Sequence, residues 1–98
     1  MADKNTIIGI EDLTNNVRYM GVAESLDALT DHQKQLKAGK HGNAELQSAW
    51  DAHGADNFRL SHLGTMGSPD VAAAVMQNMF DAITANQKLG HHLAAKPL

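Results

Sequence analysis

Apolar residues along this chain shift from short β-rich runs to helical stripes and back. Thr6–Ile10 reads Thr-Ile-Ile-Gly-Ile and predicts a strand. Asp12–Asn16 has turn chemistry, with Asn15 and Asn16 able to adopt positive φ. Val17–Val22 is a second strand, so the opening predicts an antiparallel hairpin. Ser25 is a candidate N-cap, Leu26, Leu29, Gln33 and Leu36 follow at near-helical spacing, and Gly39 is the stop. Asn43 opens a second helix, in which Leu46, Ala49, Trp50 and His53 fall at i, i+3, i+4 and i+7 before Gly54. Asn57–Leu63 alternates with period two and predicts a third strand, with a loop over Gly64–Gly67. Ser68-Pro69-Asp70 supplies an N-cap, a first-turn proline and an acid on the helix dipole. The last helix then runs over Val71–Gln87 with Val75, Met79, Phe80 and Ile83 along one side, and Gly90 stops it.

The predicted order is β-β-α-α-β-α. This is an α+β domain, a small three-stranded antiparallel sheet flanked by helices, over residues 1–90. Residues 91–98 read as a flexible C-terminal tail. There is no internal repeat and no low-complexity segment.

A length of 98 residues suits one domain with a modest core. Trp50, Phe58, Phe80 and Tyr19 carry much of its bulk. No apolar run approaches the ~18 residues of a membrane span, and the polar opening Met1–Asn5 lacks signal-peptide layout, so the cytoplasm is the expected location. The chain has no Cys, which excludes disulfides, thiolate metal sites and a Cys nucleophile. A net charge of −3 disfavours broad non-specific DNA binding, which depends on counterion release at a basic face.

The charged and titratable residues have local patterns. Lys34, Lys37 and Lys40 recur every three residues and lead into His41, forming the chain's basic stripe. It suits a phosphate backbone or an acidic partner, or is simply a solvated helix face. Glu11, Asp12, Glu24, Asp27 and Asp31 are the opposing acids. His32, His41, His53, His62, His91 and His92 are scattered without metal-ligand spacing, and no metal or cofactor is implied. His53 suits the negative end of its helix. Met66, Met76, Met79 and Phe80 read as core filler, with a homodimer through the Ala-rich last helix as the other arrangement.

Three segments resemble the GIY-YIG nuclease family. Residues Ile7–Gly21 resemble its opening hairpin, with Thr6-Ile7-Ile8 on the GIY triplet and Tyr19-Met20-Gly21 on YIG. Lys37–His41 resembles the loop after the first helix, where a glycine and a histidine recur. Asn43–Phe58 resembles the second helix and its exit, through a Leu46-Gln47 pair, an aromatic at Trp50, a helix-ending Gly54 and a strand Phe58. Together they cover Thr6–Leu63, and the last helix matches by position only.

The resemblance implies phosphodiester cleavage with one divalent metal, a water-activating tyrosine, a phosphate-steadying arginine and a metal-binding glutamate. This chain departs from that set. The GIY tyrosine position holds Ile8, and the arginine position falls on Ala28 or Leu29. The glutamate position falls on Gln77, in a stretch from Val71 to Phe80 without Asp or Glu. Tyr19 and His41 remain, Tyr19 either as a relic of the catalytic pair or as a core residue with its hydroxyl at the edge.

The expectation is a catalytically inactive GIY-YIG-like module, with Tyr19, His41 and Gln77 vestigial. Such a module works by binding a macromolecule, as a phage or mobile-element inhibitor or adaptor of a host nucleic-acid or defence enzyme. A protein partner is favoured over nucleic acid, with no membrane. Lys34, Lys37, Lys40, His41, Glu11, Asp12, Glu24 and Asp27 are the candidate partner-binding residues. Two alternatives remain open. One is a non-catalytic nucleic-acid binder using the Lys/His stripe. The other is a residual metal-dependent endonuclease that recruits Glu45 or Asp56 beside Tyr19.

Overall fold

The computed structural model describes residues 4–90 and 93–98. In chain order the elements are β1 (Thr6–Asp12), β2 (Val17–Ala23), α1 (Asp27–Lys37), α2 (Ala44–His53), β3 (Phe58–Thr65), α3 (Pro69–Lys88) and β4 (Ala94–Pro97). A single 3-10 turn, Ala55–Asn57, links α2 to β3. The chain is α+β, as the sequence pattern predicts.

The hairpin forms with Ile10 opposite Tyr19 and Ile8 opposite Gly21. Asn16 takes φ 57° in its turn, a conformation Asn tolerates better than most residues. β3 pairs antiparallel with the other edge of β1, with a bulge at Ile7/Ile8. It runs through Gly64 to Thr65, where the sequence reading placed a loop.

The three-stranded expectation needs one correction. Among the described residues the sheet has four strands in the order β3-β1-β2-β4. β4 comes from the segment read as a tail and pairs parallel with β2, Tyr19 opposite Lys96. Ala94 N donates to Asn16 O at 2.8 Å and Leu98 N to Met20 O at 2.9 Å, anchoring both ends. A four-residue strand containing proline is tolerable here because β4 is an edge, where a missing ladder donor costs little. His91 and His92 lie outside the described residues.

The helix ends follow their caps. The Asn43 side chain accepts from Leu46 N at 3.1 Å, and Ser68 Oγ accepts from Val71 N at 3.3 Å. Gly54 ends α2 at φ 85°, where a Cβ would be strained. α1 starts one residue later than its predicted cap. Ser25 Oγ still accepts from Asp27 N at 3.2 Å, while Leu26 occupies the N-cap position.

The pleat sends Ile8, Ile10 and Tyr19 to one face, where α1 and α2 cover them. The core there is Ile10, Tyr19, Leu36, Leu46, Trp50 and Phe58, with Leu29 and Leu98 packed against it. The Trp50 and Phe58 rings pack at a 43° tilt with 5.0 Å between centroids. Each large side chain buried this way contributes about 1.5–3 kcal/mol. Ile7 and Met20 have the opposite parity and are equally buried. α3 packs against β1, β2 and β4 and contributes buried Ala72 and Ile83.

Candidate functional site

The residues aligned with the family's catalytic positions converge on the Tyr19 face of the sheet, except Gln77. Tyr19 is 3% exposed and its ring is part of the core. Burial, and after it the Glu45 carboxylate, push its phenol above the ordinary value, with the Lys96 ammonium pulling the other way. Ile8 shares that face and is fully buried, so the GIY position supplies only packing. Leu29 likewise packs against the core from α1.

The two arginines of the chain, Arg18 and Arg59, do not lie on this face. Arg18 faces Glu11 across the hairpin, and its Nε donates to Glu11 Oε1 at 2.7 Å. Arg59 lies opposite Glu11 on β3. Both strand positions have the parity of Glu11, so both arginines sit on the sheet face away from Tyr19.

His41 lies in the α1–α2 loop and is held at three atoms. Its backbone N donates to Gln47 Oε1 at 3.0 Å. Gln47 in turn donates from Nε2 to Leu36 O at 3.0 Å and to Asp51 Oδ1 at 2.9 Å. The Leu46-Gln47 pair thus does two jobs: Leu46 fills the core and Gln47 stitches the loop to α1. The ring of His41 accepts at Nδ1 from Asn43 N at 2.9 Å, and its Nε2 lies 2.7 Å from His32 Nδ1. Burial lowers the basicity of both imidazoles, and His41 lowers that of His32 further.

These two histidines border an open cleft of about 490 Å³. Gln35, Gly42 and Asn43 complete one side, and Pro97 and Leu98, at the end of β4, close the other. A second cleft of about 330 Å³ lies on the other side of His32, lined by Lys4, Glu24, Asp27 and Asp31 among others. His32 was not singled out by the sequence reading. The available signal was its place on α1, three residues after Leu29 and four before Leu36, which turns it inward. Lys96 was also missed, because its strand was.

The acidic candidates separate into two groups. Asp12 is 1% exposed and does not face a partner. Its Oδ1 accepts from Thr14 N at 3.0 Å and Asn15 N at 3.3 Å, and its Oδ2 sits 2.8 Å from His53 Nδ1. His53 sits in the last turn of α2, as the sequence pattern predicts, and this contact also ties the hairpin turn to that helix end. Glu11 is committed to Arg18. Glu24 and Asp27 are exposed, as are Lys34, Lys37 and Lys40.

The residues present do not fit the family's divalent metal. Gln77 is exposed on α3 and donates its amide to Asp81 Oδ1 at 3.0 Å, leaving one neutral oxygen. Among the described residues no three His, Cys, Asp or Glu side chains converge on a cation position. Glu45 does approach Tyr19, but its carboxylate is ion-paired with Lys96 from β4. Asp56 is exposed in the 3-10 turn.

No protein-family model matches the chain, and no curated protein does. Solved structures do. The catalytic domain of homing endonuclease I-TevI superposes with a TM-score of 0.68 at 25% identity, over 92% of this chain and 97% of that one. A glutamate-to-alanine mutant of the intron endonuclease I-TevI catalytic domain gives 0.61 at 26% identity, over 88% of each chain. With the hairpin, the Gly39–His41 loop and the Leu46–Phe58 segment in place, this chain has a GIY-YIG nuclease-like fold.

Proposed function

We propose that this chain is a non-catalytic GIY-YIG-like module that acts by binding a protein. One observation carries the reading: among the described residues no cluster of His, Cys, Asp or Glu could hold a cation, and Glu45, the carboxylate that acts on Tyr19 most, is paired with Lys96. Arg18 and Arg59 point away from the sheet face that holds Tyr19. A phosphodiester transition state beside Tyr19 would have neither an arginine nor a metal-ligand set to offset its developing charge, and Lys96 is already paired with Glu45. Tyr19 is retained as core and His41 as a brace of the α1–α2 loop. Both roles preserve the fold without preserving chemistry.

Binding is the activity that such a scaffold retains. The exposed acids Glu24 and Asp27 repel a nucleic-acid backbone and suit a basic protein surface. An adaptor or inhibitor of a nucleic-acid or defence enzyme, encoded by a phage or mobile element, is the role this reading points to. Its test is an affinity capture with the whole chain as bait, beside titration of double- and single-stranded DNA at two salt concentrations. A stoichiometric protein partner lost on Glu24→Lys/Asp27→Lys supports the reading. Steeply salt-dependent DNA binding lost on Lys34→Glu/Lys37→Glu/Lys40→Glu replaces it with a nucleic-acid binder.

A further inference from the structure

Beyond that reading, the His32–His41 contact has a property that neither ring has alone. A backbone N–H can only donate, so the 2.9 Å contact from Asn43 N fixes His41 Nδ1 as an acceptor. Neutral His41 therefore carries its proton on Nε2 and donates to His32 Nδ1, 2.7 Å away. Neutral His32 in turn carries its proton on Nε2. Each ring nitrogen that remains free to take a proton already faces an N–H. Protonating His41 Nδ1 sets it against Asn43 N–H. Protonating His32 Nδ1 sets it against His41 Nε2–H. The packed arrangement admits only the neutral pair.

Asn43 makes this matter for the sheet. Besides its contact to His41, it caps α2 through Leu46 N, and its Nδ2 donates to Pro97 O at 3.2 Å. One residue thus links the histidine pair, the start of α2 and the end of β4. We propose that the His32–His41 pair is an acid-sensitive latch: protonation of either ring breaks the hydrogen-bond chain through Asn43 and releases the end of β4 from the cleft.

The surroundings favour the neutral state. Both rings are partly buried, and the cleft they share is lined by no charged side chain from the α1–α2 loop or from β4. The charges facing His32 lie in the other cleft: Asp31 and Asp27 on α1, Glu24 before it, and Lys4 ahead of β1. Asp31 pulls the basicity of His32 upward, against the stronger downward pull of burial and His41. The latch therefore opens below the ordinary imidazole value of about 6.5.

The test is an NMR titration of the labelled full-length chain, reading histidine ring tautomers together with amide exchange in β4. Both rings are expected in the Nε2–H form at pH 7.5, and to titrate below about 6.5. The Leu98 amide protection factor, corrected for intrinsic exchange, is expected to fall about tenfold per pH unit towards that midpoint. Ile10 and Tyr19 amides are expected to stay protected. In His32→Gln and, independently, His41→Gln, the β4 transition is expected to lose this midpoint. Either ring protonated at pH 7.5, or Leu98 protection unchanged through the imidazole titration, overturns the proposal.

Discussion

Replacing Asp12 by alanine is expected to damage the fold rather than binding. The carboxylate is 1% exposed and anchors two elements: Thr14 N and Asn15 N in the hairpin turn, and His53 at the end of α2. Hydrogen bonds to a charged acceptor are each worth about 1.5–3 kcal/mol, but water reaches the exposed turn amides and recovers part of theirs. The expected loss is about 3 kcal/mol, a large share of the ~5–15 kcal/mol of a small domain. In melting temperature that is on the order of 10–20 °C. Asp12→Asn keeps an acceptor for the turn and a polar group towards His53, and is expected to cost about 1 kcal/mol. A double-mutant cycle with His53→Ala isolates the cross-element contact, with an expected coupling of about 1–2 kcal/mol. Urea titrations followed by Trp50 fluorescence read all of these. If Asp12→Ala unfolds within ~0.5 kcal/mol of the parent, the surface range for substitutions, then Asp12 is not an anchor and the reasoning fails.

Other outcomes follow from the packing and the histidine pair. Trp50→Ala empties the centre of the α1/α2 core and is expected to cost about 3–5 kcal/mol, read as a lower urea midpoint. Gly21→Val is expected to push β4 off the sheet, because even a Cβ there would meet Leu98 Cβ at 3.2 Å; faster Leu98 amide exchange with unchanged β1 protection would show it. The histidine pair also gives stability a pH dependence. Both folded-state pKa values are lowered, so in the window below about 6.5 the unfolded chain binds more protons. The pair's contribution is whole above that value and is lost as the pH falls through the folded values. The urea midpoint is expected to drop between pH 7 and 5, less so in His32→Gln/His41→Gln, and a midpoint that rises on acidification would contradict this.

The sequence was legible where the governing interactions are local. Asn43 and Ser68 announce their helices because a cap needs only a side chain and an amide three residues on. The hairpin was legible because alternation and turn chemistry lie in one short segment. β4 was not, because Ala94–Pro97 has no alternation of its own and exists only by pairing with distant β2. The site showed the same division. That Ile8, Leu29 and Gln77 carry no charge was readable, since identity alone decides it. The commitments of Asp12 to His53 and of Glu45 to Lys96 join residues far apart in sequence, and no local pattern encodes them. Asp12 did carry a hint: an Asp just before Thr14-Asn15 is well placed to accept from the amides of its own turn.

The central claim is that this nuclease-like fold has lost its chemistry, and a cleavage assay tests it most directly. Supercoiled plasmid and structured RNA would be incubated with the purified chain in Mg²⁺ and in Mn²⁺, with Tyr19→Phe and His41→Ala alongside. The expected result is no cleavage above that of either variant. Metal-dependent cleavage by the parent chain that disappears in both variants would contradict the claim. It would mean that a working site has been rebuilt around Tyr19, with Glu45 freed from Lys96 as the first carboxylate to examine.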